Sequence, residues 1–226
     1  MYGQLDQTNK EFWDAAAAGD FAKVCACVSK GANVNVSNGD GRTALMRSAK
    51  RGYEDIVRFL LDNGANVRAR DVNNKTALMG AAKKGHLGIV KMLVEAGSDV
   101  NSHDDNGRTS LMRASFLGQS EVVEYLVDNG ANVNARDSKG RTALMEAVLA
   151  CKVDVIKYLI EHGADINMQD NAGCTALMRA SYGGYVDLVL YLLDQGADKS
   201  IKDFQGNLAI HYVREHCFAE LKEHLK

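Results

Sequence analysis

Apolar and polar positions along this chain follow a unit that returns every 33 residues. Leu45 with the small Ser48 and Ala49 makes an i, i+3, i+4 stripe. It predicts a short, one-faced helix opened by Thr43, whose hydroxyl is a natural acceptor for an orphan amide. Gly52 interrupts that helix. Glu54 and Asp55 then place negative charge where a second helix would begin, and Ile56, Val57, Leu60 and Leu61 give it an apolar face. Gly64 suits the left-handed residue that closes the second helix, and the Asn- and Asp-rich stretch 66–75 predicts an extended turn. The small pairs Ser48/Ala49, Ala81/Ala82 and Ala114/Ser115 let neighbouring helices come close. A unit this small cannot bury its own apolar face, so stacking on its neighbours is obligatory.

Two independent markers keep the period. Thr43, Thr76, Thr109, Thr142 and Thr175 each open a phrase of the form T-A/S-L-M, and Leu208-Ala209-Ile210-His211 is a degenerate sixth copy. Gly31, Gly64, Gly97, Gly130, Gly163 and Gly196 are each followed by Ala or Ser in the same step. A 33-residue unit opening T-A-L-M-x-A/S and closing L-L-x-x-G-A-N-V-N resembles the ankyrin repeat, whose usual opening is T-P-L-H-x-A. The likeness covers residues 5 to 226. It departs from the family in Ala or Ser for Pro, which keeps good helix propensity, and in Met for His, which removes a hydrogen bond between turns that His211 alone retains.

The resemblance implies an all-α solenoid of stacked helix-turn-helix units with hairpin-like turns. One domain is expected over 1–226. It would comprise an N-terminal capping unit at 1–36, full repeats at 37–69, 70–102, 103–135, 136–168 and 169–201, and a C-terminal capping unit at 202–226. Phe12, Trp13, Ala15 and Ala16 stand one period before Leu45, Met46, Ser48 and Ala49, so the first unit lacks its turn but has both helices. Arg214, Glu215, His216, Glu220, Lys222, Glu223, His224 and Lys226 give the last helix pair a polar outer side. Polar caps at both ends predict a complete stack of seven units.

Composition narrows the function. With 27 Lys and Arg against 29 Asp and Glu the net charge is −2, which excludes a histone-like polycation. The absence of proline leaves no Pro-anchored turn. Met1-Tyr2-Gly3-Gln4-Leu5-Asp6 has neither a basic nor an apolar leader region, and no apolar run reaches about 18 residues, so a soluble, cytoplasmic protein is expected, with the nucleus as an alternative. Cys25, Cys27, Cys151, Cys174 and Cys217 read as free thiols. Asn35-Val36-Ser37 and Asn74-Lys75-Thr76 match the glycosylation sequon but carry little weight without a secretory signal.

No catalytic pattern emerges. His86, His103, His162, His211, His216 and His224 fall at unrelated repeat positions, and no metal, nucleophile or phosphate-loop motif accompanies them, so neither an enzyme nor a cofactor is expected. The ladder of Met46, Met79, Met112, Met145 and Met178 reads as packing between repeats. The series Phe59, Met92, Tyr125, Tyr158 and Tyr191 reads the same way, with the hydroxyls exposed.

Recognition is sought where the copies differ. By resemblance, contacts come from the turn tips and the first helices, which line a concave face. The residue before the Thr is Arg42, Lys75, Arg108 and Arg141, then Cys174 and Asn207. The first helices add Arg47, Lys50, Arg51, Lys83, Lys84, Arg113 and Arg179, with Glu146 as an acidic exception. Most acids belong to the second helices. Further along, Lys50/Arg51 and Lys83/Lys84 give way to Phe116/Leu117, Leu149/Ala150 and Tyr182/Gly183, so the face turns apolar.

The expected function is a non-catalytic, monomeric module that binds another protein through an acidic segment with an apolar anchor. Two alternatives stay open. One is a binder of nucleic acid or polyphosphate on the basic row, which the balanced charge disfavours; the other is an architectural spacer or self-assembling unit.

Overall fold

Every full repeat begins with the same cap. In a computed structural model that describes residues 6–226, the Thr Oγ1 of residues 43, 76, 109, 142 and 175 accepts the N–H of Met46, Met79, Met112, Met145 and Met178, each at 3.3 Å. One orphan amide of each helix is thereby satisfied, and the helix starts at the Ala or Ser where the family more often has Pro. The opening segment Met1–Leu5 lies outside the described residues.

The fold is all-α, with no strand among the described residues. Contacts gather into two compact units, one up to Asp105 and one from Asn106 to Lys226. The first holds α1 (Gln7–Ala18), α2 (Phe21–Ser29), α3 (Ala44–Arg51), α4 (Glu54–Asp62), α5 (Ala77–Lys84) and α6 (Leu87–Glu95). The second holds α7 (Ser110–Leu117), α8 (Ser120–Asp128), α9 (Ala143–Leu149), α10 (Val153–Glu161), α11 (Ala176–Gly183) and α12 (Val186–Asp194), then a 3-10 turn (Ala209–Tyr212) and α13 (Glu215–Leu225). Within the first unit α1, α3 and α5 pack in sequence, and within the second α7, α9 and α11 do.

Small side chains make this packing close. Ser48, Ala49, Ala81, Ala82, Ala114 and Ser115 are wholly buried, as are Leu45, Leu78, Leu111 and Leu144 beside them. Each such Leu contributes about 1.5–3 kcal/mol through removal of its surface from water. The five ladder methionines are buried too, so they serve packing. The five cysteines are free thiols.

Hydrogen bonds lace the turns in two ladders. Asn38, Asp71, Asp137, Asp170 and Asp203 each accept the amides two and four residues on, at 2.7–3.1 Å. Asn35, Asn134 and Asn167 each donate to the carbonyl of Gly64, Gly163 or Gly196 in the next repeat and accept an amide two residues beyond it. The Asn35 amide is therefore occupied within the fold, and a glycan there would break the ladder.

The last unit departs from the others. Its first helix is a single 3-10 turn, because Leu208 replaces the capping Thr and Arg214 replaces the buried Ser181 of the preceding copy. The His211 ring accepts the N–H of Leu208 at 2.8 Å, so it closes its own turn rather than tying two turns together.

One corner is strained. Gly19, Gly52, Gly85, Gly118 and Gly184 end the first helices with φ between 71° and 87°, but the matching residue after α9 is Cys151, with φ 50°. At Gly19, Gly52 and Gly118 a side chain of the next repeat, Tyr53, His86 or Lys152, covers the glycine within 2.7–2.8 Å of where a Cβ would stand. The corresponding Tyr185 lies against Gly183 instead. A left-handed non-Gly residue costs roughly 1–2 kcal/mol, partly offset by the greater unfolded-chain entropy of Gly. Cys151→Gly is therefore expected to stabilise the protein by about 0.5–1 kcal/mol, which a thermal melt reads as a rise of about 2 °C. An unchanged or lower midpoint contradicts this.

Candidate functional site

The last residues of each first helix face away from the packed stripe, so their identity is free to vary. In the first unit these are Lys50 and Arg51 on α3 and Lys83 and Lys84 on α5, all exposed. Cations at helix C-termini are favoured by the dipole. Here they also crowd one another. Gly80 has no side chain, and the Lys50 stem lies across it, 3.2 Å from where a Cβ would sit. Partial burial foremost, then Lys83, Arg42, Lys84 and Arg47, lower the pKa of Lys50. The groups that act on Lys50 are all cations.

In the second unit the same positions carry Phe116 and Leu117 on α7, Leu149 on α9 and Tyr182 on α11. Phe116 is 41% exposed, Leu117 37% and Tyr182 62%, while Leu149 is half-buried. The Arg214 guanidinium stands 5.6 Å from the Tyr182 ring centre, and its Nε donates to the Tyr182 carbonyl at 2.8 Å. The Lys152 stem covers Gly118 beside Phe116 and Leu117.

Arg42, Arg108 and Arg141, expected to form an outward row, are each met by carboxylates of the same unit. Arg42 reaches Asp40 at 3.3 Å and the buried Asp71 at 3.6 Å. Arg141 pairs with Asp137 and with Glu146, each at 2.9 Å, and Arg108 pairs with the other Glu146 oxygen. Arg179 pairs with the buried Asp170. Arg47 lies over Trp13, 4.7 Å from the ring centre, while the Trp13 N–H donates to the Arg42 carbonyl. Arg113 and Lys75 are half-buried.

Glu146 corrects the sequence reading outright: far from being an outward acidic exception, it is 1% exposed and clasped by two arginines from two turns. The aspartates at 71, 104, 137, 170 and 203 are buried as a set, and their 33-residue spacing is the signal of it in the sequence.

The second helices carry a different surface. Tyr158 stacks on His162 with ring centres 3.9 Å apart and donates to Asp128 at 3.1 Å. Phe59 meets Phe21 edge-on, and Lys157 lies 5.8 Å from the Tyr191 ring. The half-buried Phe59, Tyr158 and Tyr191 pack between repeats, Phe59 against the exposed Phe21, with the Tyr158 hydroxyl bonded as well as accessible.

In the last turn the Tyr212 hydroxyl donates to Asp203, with the Cys174 thiol 3.6 Å from the same oxygen. That bond is the main reason the Asp203 carboxyl is lowered to about 2, and it pushes the Tyr212 hydroxyl well up. A depressed carboxyl adds stability that is present above its unfolded pKa of about 3.9 and is lost as pH falls from there through about 2. Tyr212→Phe is expected to return the Asp203 pKa toward about 4, read by an NMR pH titration; a value still near 2 contradicts it.

Among the described residues no three metal-binding side chains come together, and no helix is long and apolar enough to cross a membrane. The sequence model for ankyrin repeats, three copies to the unit, matches residues 12–104, 70–137 and 136–203. The chain belongs to the ankyrin repeat family. Its fold class, an all-α repeat solenoid, agrees with the crystal structure of the human ASB11 ankyrin repeat domain, to which it is similar with a TM-score of 0.85. The likeness covers 95% of this chain and 97% of that one at 24% identity, and so concerns the fold. A search of curated proteins returns no match. Ankyrin repeats are in general protein–protein interaction modules, and that coarse function extends to this chain.

Proposed function

We propose that this ankyrin repeat protein is a non-catalytic module that binds an acidic protein segment with an apolar anchor through the ends of its first helices. In the first unit Lys50, Arg51, Lys83 and Lys84 offer cations to carboxylates. In the second, Phe116, Leu117, Leu149 and Tyr182 offer an apolar patch bordered by Lys152 and Arg214. The observation that carries the reading is the exposure of Phe116, Leu117 and Tyr182 on helices whose other apolar side chains are buried. Exposed aromatics of this kind dominate interface energetics, whereas packing has no use for them here. Arg42, Arg108 and Arg141 support the surface mainly by holding the turns, since their charges are met by carboxylates of the same unit. The test is capture of partners from lysate by the wild type beside Phe116→Ser/Leu117→Ser; retained binding by the double variant rejects the reading.

A second reading, an anionic ligand such as nucleic acid or polyphosphate, draws on the self-repelling cluster around Lys50. It requires affinity that falls linearly with log salt, is lost in Lys83→Glu/Lys84→Glu, and is indifferent to Phe116.

A further inference from the structure

We propose that the segment held on α7, α9 and α11 is in polyproline II conformation, with an apolar side chain at every third residue. This deepens the reading of the same patch given above and rests on it.

Phe116, Leu149 and Tyr182 occupy one register position in three successive first helices that pack side by side. Adjacent packed helices lie about 8–10 Å apart, so the face presents three apolar stations at that interval. The next residue in this register is the exposed Glu215, which ends the apolar line within the unit.

A ligand must return its side chains to one face at the same interval. Polyproline II has three residues per turn and rises about 3.1 Å per residue, so every third side chain comes back after about 9.3 Å. That falls inside the helix spacing. A β-strand returns to one face after about 6.7 Å, and again after about 13 Å, missing the second station in both cases. An α-helix comes back after seven residues and about 10.5 Å, an overshoot that doubles by the third station. The strand therefore misses the second station and the helix overshoots it, while polyproline II fits all three.

Chemistry agrees with geometry. Aromatic-lined faces are the usual docking surface for this conformation, which carries no internal hydrogen bonds and is ordered before it binds. Phe116 and Tyr182 supply the rings, and the charges beside them are Lys152, whose stem covers Gly118, and Arg214, stacked over Tyr182. Acidic residues between the apolar ones complement those cations, with Glu215 restricting them at the Tyr182 end.

The test uses the whole 226-residue chain and four labelled synthetic peptides of matched acidic composition, three designs and a scramble of the first, compared by fluorescence anisotropy. One places leucines at i, i+3 and i+6 in a Pro- and Glu-rich backbone. The second places them at i, i+2 and i+4 without proline, and the third is a stapled helix with leucines at i, i+7 and i+14. The first is expected to bind at least tenfold tighter than the other two and than its own scramble, and to lose at least tenfold in Phe116→Ser and, separately, in Tyr182→Ser, each checked by thermal melt. Equal or tighter binding of the strand or helix peptide overturns the proposal, as does failure of the first peptide to exceed its scramble. If that failure accompanies lysate partners lost in Phe116→Ser/Leu117→Ser, the conformation is wrong and the docking face stands; if the double variant keeps its partners, the face itself is wrong.

Discussion

Glu146→Ala is expected to destabilise the protein by about 2–3 kcal/mol at neutral pH, lowering the thermal midpoint by about 5–10 °C. The carboxylate is buried and bridges Arg108 and Arg141, whose side chains are 27% and 20% exposed. Removing one partner of a wholly buried ion pair costs about 3–5 kcal/mol because the remaining charge loses its match. Here both guanidiniums keep some access to water, so the loss sits below that range. Two arginines would also face each other without a carboxylate between them, although Asp137 still holds Arg141. Glu146→Gln keeps the shape and an acceptor and should cost about half as much. A midpoint for Glu146→Ala within about 1 °C of the wild type contradicts the ion-pair account.

Phe116→Ser/Leu117→Ser is expected to abolish partner capture while moving the melting midpoint by no more than about 1 °C. Central aromatic anchors typically contribute 2 kcal/mol or more to binding, about a thirtyfold change in affinity each. Both side chains are more than a third exposed, and the buried work of α7 is done by Leu111, Met112, Ala114 and Ser115. Surface substitutions away from packed positions shift stability by about 0.5 kcal/mol or less. A large fall in melting temperature would show that the ring belongs to the core, and intact capture would show that recognition lies elsewhere.

How far the sequence could be read depended on whether a feature was local or tertiary. The Thr caps, the left-handed glycines, the small helix-contact pairs and the buried methionines all follow from residues within one repeat, and the structure places them as expected. Glu146 could not be read this way. Its counterparts are Arg47, Gly80, Arg113 and Arg179, and besides the nearby Arg141 it is met by Arg108, 38 residues away in sequence, a tertiary contact that no single repeat displays. The pairing of the basic row is only partly local: Arg141 finds Asp137 in its own turn, whereas Arg42 and Arg108 reach Asp71 and Glu146 in the next repeat. The asparagine ladder left a trace in the period of Asn35, Asn134 and Asn167, but Arg68 interrupts it and supplies its own bond to Gly97. At the C-terminal end Leu208 and Arg214 are each in plain view, yet the collapse of a helix to one 3-10 turn follows from the loss of the cap and the small side chain together. Exposure of Phe116 and Tyr182 was legible only as variation, because their counterparts in the first unit are lysines.

The surface the proposed partner covers is formed by the exposed Phe116, Leu117 and Tyr182 on α7 and α11, with the half-buried Leu149 of α9 between them. Hydroxyl-radical footprinting of the protein alone and with its captured partner tests this most directly. Phe116, Leu117 and Tyr182 should be labelled in the free protein and protected in the complex, while the buried Met112, Met145 and Met178 stay unlabelled in both. Equal labelling of Phe116, Leu117 and Tyr182 with the partner bound would contradict the account.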